Sequence, residues 1–368
     1  MVVCSDKQNI DRLTCGNLFT SRCKPEAYSR SGRDSELSIV HINMEKDASY
    51  LAFGLIAASA AKFLLSAWIR DKRLEKFERI GTVSDLIYYP MKSCQGIPME
   101  SGTLRPLGLY KDGMADRNWM FTRPNGAFLC QRQCPKMVLI KVSSHGEMIH
   151  LDAPGMSTLK LPKQPKVDPK RFMECRVWGI PITGMDCGEE ASQWACDFLG
   201  KENLHLVFSA ANMKKKFIAD DCLHPWTDLI RPEDESIFSD LTPYLIASNK
   251  SLNALNERLE KPVSMRNFRP NIVIDTTRKA FDEDLWCELR FGDNVFIRCL
   301  HPCPRCMQTT VDPDTGKKDH NLEPHKTLKK FRCKPGCGRD PFFGIHGAID
   351  FPAVVHVGDP VYARNRTN

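Results

Sequence analysis

Apolar and polar positions change their rhythm twice along the chain. Residues 1–49 mix charges of both signs without periodicity, which predicts a leader with no stable structure of its own. The next stretch, YLAFGLIAASAAKFLLSAWI (50–69), is almost continuously apolar and matches the roughly 20 residues that span a bilayer. It predicts a membrane anchor helix over 50–70. Tyr50 and Trp68 stand near its ends, where aromatic rings favour the interface. Lys62 interrupts the run at a cost of about 2.5–3.5 kcal/mol for a central position, less if its stem reaches one headgroup layer. The competing reading is a buried helix of a soluble domain. RDKRLEKFER (70–79) follows with five cations against three acids, whereas Glu45, Lys46 and Asp47 before the run give no basic excess. By the positive-inside rule the large C-terminal part stays in the cytosol.

From Gly81 the rhythm shortens into β-like runs bounded by Pro, Gly, Asn and Asp. They are TVSDLIYYPM (82–91), WMFTR (119–123), MVLIKVS (137–143), MIHLDA (148–153) and RVWGIPITGMD (176–186). Glu189–Leu199 carries Trp194, Phe198 and Leu199 on one helical face. Strands resume at Leu204–Ser209, Thr242–Ser248, Asn271–Asp275, Leu289–Phe291, Val295–Leu300 and Ala353–Val357. Between them fall a charged irregular loop over 210–240 and a short amphipathic helix at Ser251–Leu259. Many short strands with turns at this spacing predict a mainly β chain with some α, built as a barrel or sandwich. Two strand-rich regions, 80–200 and 201–366, meet near residue 200.

Composition narrows the class. A chain of 368 residues with 42% hydrophobic and 26% charged residues is globular. The net charge of +7 is spread thinly, with no dense Lys/Arg block among aromatics, so no nucleic-acid partner is expected. Sixteen scattered cysteines in so long a chain, with no secretory signal at its start, predict reduced thiols in a cytosol-facing compartment.

Two constellations could carry chemistry. Cys303-x2-Cys306 and Cys333-x3-Cys337 have the spacing of a small zinc site, although Arg305 sets a cation between the first two thiols. A thiolate beside a guanidinium suits a soft metal, a nucleophile or a redox thiol alike. Cys130 and Cys134 read as strand-end cysteines. The second constellation is polar and basic: Lys92 and Ser93 in YPMKSCQG, Asp116 and Arg117 in MADRNWMF, Asp240 and Thr242 in SDLTPYLI, and Asn267, Arg269 and Asn271 in NFRPNIVID. Each alone is an ordinary loop charge or turn former. Together, at strand ends of both regions, they suit an anionic ligand lying between them.

YPMKSCQG, ADRNWM, NFRPNIVI, PRC with MQTTVDPDTG, and VGDPVY (357–362) occur in the order found in MOSC-domain proteins. The set most closely resembles the family of mitochondrial amidoxime reducing components, from about residue 80 to 364. That resemblance implies a MOSC-type β-barrel, a preceding β-rich MOSC N-terminal domain and an N-terminal membrane anchor helix. It implies a molybdenum cofactor (Mo-molybdopterin) with Cys306 as metal ligand and catalytic residue, and Cys303 as a non-ligating neighbour. Lys92, Ser93, Arg117, Leu241, Thr242, Arg269, Asn271, Pro304, Arg305 and Cys306 would bind the cofactor. Leu241 stands where a hydroxyl residue is usual and Pro304 where a Ser is. The implied reaction is reduction of N-hydroxylated compounds such as amidoximes and hydroxylamines. Electrons would come from NADH through NADH-cytochrome b5 reductase and cytochrome b5. The implied location is the mitochondrial outer membrane with the catalytic part facing the cytosol, and peroxisomes as a second destination. The alternatives are a MOSC-type sulfur carrier, with a persulfide on Cys306, and a zinc-stabilised membrane-anchored binding module.

Overall fold

The computed structural model describes residues 44–210, 212–218, 229–335 and 337–366. The expected leader therefore lies outside the described residues up to 43, and so does part of the charged loop at 210–240. Helix α1 runs Met44–Leu74, starting before and ending after the span expected at 50–70. Its segment Ala52–Leu74 has a mean hydropathy of 1.7 and is long and apolar enough to cross a membrane. Phe53, Leu55, Ile56, Phe63, Leu64 and Trp68 are all exposed, which is not how a core helix of a soluble domain buries its apolar face. The chain divides into two compact units between Leu65 and Ser66.

In the second unit, seven strands close a barrel: β1 (Glu78–Tyr88), β2 (Tyr244–Ser248), β3 (Ile272–Thr276), β4 (Trp286–Phe291), β5 (Val295–Pro304), β6 (Phe342–Ala348) and β7 (Pro360–Asn365). Around the ring the order is β1-β3-β2-β6-β5-β4-β7 and back to β1. Only β2 and β3 run parallel, with Ile246 opposite Ile272. Closure leaves no free edge among these seven. Val83, Ile246, Ile274, Leu289, Ile297, Ile345 and Val361 fill the inside.

The expectation of a mainly β fold with some α, built around a barrel, is met. The barrel takes its first strand from the early part of the chain. In return, Ala353–His356 leaves the late part to pair with Ser101–Arg105. A four-stranded sheet (Phe172–Val177, Ile180–Asp186, His205–Phe208, Trp119–Thr122) and a three-stranded one (Lys141–His145, Met148–Asp152, Leu159–Pro162) complete the early region. Helix α2 (Glu189–Leu199) has the expected bounds and buries Trp194, Phe198 and Leu199. Helix α3 (Asn249–Asn256) is capped by the Ser248 hydroxyl accepting from the Ser251 N–H.

Local expectations need correction at several points: the helix expected at Ser251–Leu259 is Asn249–Asn256, and the loop expected over 210–240 pairs Lys216–Phe217 with Glu235–Ser236. MVLIKVS is not one strand: Pro135–Leu139 forms a 3-10 turn, with Pro at its start, before the strand at Lys141. RVWGIPITGMD is not one strand either: Arg176 and Val177 end the first arm of a hairpin, Trp178 and Gly179 turn the chain with φ of 54° and 89°, and Ile180–Asp186 is the second arm. Two successive positive φ values make the tight turn that matches strand twist. Strand β6 and helix α4 (His325–Arg332) had no strong pattern. All seven residues of β6 are buried, so no alternation marks it. A Cβ on Gly344 would lie 2.7 Å from the Ile246 carbonyl oxygen, so its glycine permits close packing rather than breaking the strand.

Candidate functional site

The ten residues singled out above for the cofactor surround one cavity of about 370 Å³. They reach it from separate elements. Lys92 and Ser93 follow β1, Arg117 precedes the strand at Trp119, and Leu241 and Thr242 precede β2. Arg269 and Asn271 precede β3, and Pro304 ends β5 with Arg305 and Cys306 directly after it. Ser93, Arg117, Trp178 and Arg269 all hold positive φ, between 50° and 66°. Such backbone costs about 1–3 kcal/mol for a residue with a Cβ and clusters at functional sites.

One wall is fully paired. Arg117 Nη1 bonds the buried Asp116 carboxylate and donates to Asn271 Oδ1 at 2.9 Å. Asp116 also accepts from the Tyr89 N–H at 2.7 Å and from Asn271 Nδ2 at 3.2 Å. Burial raises the Asp116 pKa against the pull of Arg117. Asn271 thereby ties the barrel to the early region through Asp116, while its Nδ2 also donates to the Ile87 carbonyl on β1 at 3.2 Å.

The adjoining wall is not. Arg269 Nη1 donates to the Cys94 carbonyl at 2.6 Å, and its guanidinium lies 4.3 Å from the Tyr89 ring, but its buried Nη2 has no hydrogen-bond partner. Burial lowers the Arg269 pKa to about 10. Arg305 donates to the Phe268 carbonyl at 2.6 Å and to Cys303 Sγ at 2.9 Å, while its buried Nε is also unpartnered. His346, next along this wall, has its pKa lowered to about 3 by burial and then by the charge of Arg305, so it is neutral at physiological pH. The Thr242 hydroxyl lies 2.9 Å from His346 Nδ1.

At a third side, Lys92 Nζ donates to Asp240 Oδ1 at 2.5 Å and to the Phe238 carbonyl at 2.7 Å. Burial lowers the Lys92 pKa although Asp240 pulls it up. Half of the Asp240 side chain is reachable by solvent, yet protein surrounds it closely. Desolvation alone would raise its pKa; Lys92, Lys216 and the Trp178 indole N–H, 3.0 Å away, outweigh this and hold it well below the carboxylate range.

Cys306 is half-buried and caps the 3-10 turn Met307–Thr310. Its carbonyl accepts from the Thr309 N–H and hydroxyl at 3.2 and 3.1 Å. Asn267 holds the same turn from the Arg269 side, donating to the Thr309 and Val311 carbonyls at 3.0 and 3.2 Å. Burial raises the Cys306 pKa, offset in part by the Gln308 N–H and by Arg132. A bare thiol of this kind is a poor nucleophile, whereas metal coordination deprotonates it outright. Cys303 is buried, its pKa also raised by burial, and its sulfur faces Arg305. Cys333 is exposed, with its sulfur 3.6 Å from the Arg339 carbonyl. Among the described residues no three His, Cys, Asp or Glu side chains gather so as to hold a metal. The four-cysteine zinc reading thus lacks its ligand set.

Sequence reasoning missed Trp178, His301 and His346, which also line the cavity. The Trp-Gly pair at a hairpin turn was a usable signal for the first. The two histidines face each other across β5 and β6, a register not readable without knowing that β6 is a strand.

Two family models match the chain: MOSC N-terminal beta barrel domain over residues 80–202 and MOSC domain over 233–362. Mitochondrial amidoxime reducing component 2 of Bos taurus is 39% identical over 303 residues, covering 80% of this chain and 88% of its own length. Mitochondrial amidoxime-reducing component 1 of Homo sapiens is 38% identical, covering 85% and 93%. Component 2 of Homo sapiens is 37% identical over the same shares, 85% and 93%. With both domains matched and such relatives aligned over nearly their whole length, the chain belongs to the MOSC-domain family of mitochondrial amidoxime reducing components.

Proposed function

We propose that this chain is a molybdenum-cofactor-dependent oxidoreductase that reduces N-hydroxylated compounds such as amidoximes and hydroxylamines. Electrons reach it from NADH through cytochrome b5 reductase and cytochrome b5. It sits in the mitochondrial outer membrane through α1, with the cavity toward the cytosol. The observation that carries this reading is the gathering of Lys92, Arg117, Arg269, Asn271, Arg305 and Cys306 around one cavity, with two buried arginine nitrogens unpartnered. An acceptor-rich anion satisfies those nitrogens, and a phosphorylated pterin is such an anion.

When bound, the molybdenum cofactor supplies the electron pair that cleaves the N–O bond, the oxygen leaving as water after two protons are taken up. The chain's own groups do the rest. The Cys306 thiolate is the protein's metal ligand, kept in place by Thr309 and Asn267. Lys92, Ser93, Arg117, Arg269 and Asn271 hold the phosphate and pterin edge, and Arg305 orients the ligand loop. Thr242, with the backbone at Leu241 and Pro304, closes the pocket around them. Neutral His346 donates or accepts a hydrogen bond without adding a competing charge.

The sulfur-carrier reading requires a reactive Cys306, and burial pushes that thiol the wrong way. Metal analysis of the purified chain and benzamidoxime turnover with NADH, cytochrome b5 and its reductase test the proposal together. Stoichiometric molybdenum with turnover is expected. Stoichiometric zinc, or no turnover when loaded with molybdenum, would overturn it.

A further inference from the structure

The C-terminal end of α1 is clamped onto the barrel. Arg73 pairs with Glu288 on β4, and its guanidinium lies 4.5 Å from the Phe296 ring on β5. Phe77 meets the same ring edge-on at 5.7 Å. The largely buried Glu288 also accepts two bonds from Arg364 on β7, at 2.9 and 3.1 Å. Beside this clamp opens a cavity of about 390 Å³. Trp68 and Ile69, both more than half exposed, form one side. Lys72, Arg73, Lys76 and Arg364 form the other. Glu288 is committed to two guanidiniums and Lys72 pairs with Glu75 at 2.9 Å, so four cations meet two carboxylates and positive charge is left over.

We propose that this cavity binds the headgroup of an anionic glycerophospholipid from the leaflet into which α1 inserts. The inference rests on the anchor reading. At about 1.5 Å per helical residue, Lys72 lies roughly 5 Å beyond Ile69 along α1, which is the depth of a headgroup layer outside the hydrocarbon. A phosphodiester there meets the cations, while the glycerol and first acyl carbons meet the exposed Trp68 and Ile69. A soluble phosphate would use only the cationic side. Because the clamp fixes Arg73 and Arg364 beforehand, little side-chain entropy is lost on binding. Occupancy would hold the barrel in one orientation over the membrane.

The test uses the full chain reconstituted into vesicles of phosphatidylcholine alone or with phosphatidylserine. Amide hydrogen exchange is read over residues 70–80 and 360–366. Flotation with the neutral vesicles first checks insertion of α1; a chain that does not float overturns the anchor reading and this site with it. Given insertion, exchange in both segments slows about tenfold with phosphatidylserine present. The double variant Lys72→Gln/Lys76→Gln, which leaves the Arg73–Glu288–Arg364 clamp intact, loses that slowing while floating equally well. Removing two such cations weakens the lipid contact roughly 30-fold. Equal exchange in the two vesicles would overturn the proposal. So would the same slowing produced in neutral vesicles by soluble glycerophosphate, which would make this a free-phosphate site.

Discussion

Two walls of one cavity treat buried charge in opposite ways. Around Arg117 each group answers another: Asp116 takes the guanidinium, Asn271 bridges both, and the Tyr89 N–H completes the carboxylate. Around Arg269 and Arg305, two buried nitrogens have no acceptor. A buried donor without a partner costs about 1–3 kcal/mol. The first wall therefore holds its shape before any ligand arrives, with Arg117 and Asn271 fixed in place to line the cavity, and the second keeps donors for something that brings acceptors. Cys306 stands at the end of the second, one residue beyond Arg305.

The harshest way to break this comparison is to remove the sulfur. Cys306→Ala is expected to lower N-reductive turnover by on the order of 10³-fold or more while circular dichroism and thermal unfolding stay unchanged. Cys303→Ala removes only an acceptor from Arg305 and should cost roughly tenfold. Equal losses from the two would mean a two-thiol metal site instead.

The walls themselves are separated by a pair of substitutions. Asp116→Ala strands Arg117 and should destabilise the protein by about 3–5 kcal/mol in denaturant unfolding, whether or not molybdenum is present. Arg269→Gln removes a guanidinium that is not fully satisfied, so the metal-free protein should keep its stability within about 1 kcal/mol. Its molybdenum retention on dialysis should fall about 10- to 100-fold, the worth of charge-assisted hydrogen bonds to an anion. If Arg269→Gln instead unfolds the protein like Asp116→Ala, the distinction between the paired and the unpaired wall fails.

How much of this was legible follows the same division. The paired groups announced themselves by type and position: MADRNWMF and NFRPNIVID put charge and amide at strand starts, and the cavity gathers them. The barrel was legible as short strands, but not its closure, because β6 is buried on every residue and carries two glycines. Without β6 the facing of His301 and His346 is invisible. Trp178 was hidden inside what reads as one long strand until its positive φ turns the chain back. The unpartnered nitrogens had no signature at all, since an arginine's satisfaction depends on carbonyls such as those of Cys94 and Phe268, far from it in sequence.

Acid should expose the unsatisfied wall. His346 has a folded pKa of about 3 against the ordinary value of 6.5, so between these the unfolded chain binds more protons than the folded one. Its contribution is fully present above pH 6.5 and is lost as pH falls toward 3. The slope is at most about 1.4 kcal/mol per pH unit. Thermal unfolding of the metal-free protein should fall more steeply from pH 7 to 5 in the native chain than in His346→Gln. Arg305 is the second cause of that depressed pKa, so an anion on this wall should shallow the slope. Parallel slopes in the two proteins would place His346 in a wetter setting than the wall implies.

The smallest expected effect concerns Leu241, half-buried at the cavity. Its apolar side chain offers nothing to an anion, so whatever it contributes comes through backbone. Leu241→Ser adds one neutral donor without moving that backbone. A neutral hydrogen bond nets about 0.5–1.5 kcal/mol, so molybdenum retention should rise by roughly two- to tenfold and unfolding should hardly change. Lower retention would mean that the leucine packs against the ligand. The edge of the second wall would then be apolar by selection, and the binding surface would be confined to the two arginines and Cys306.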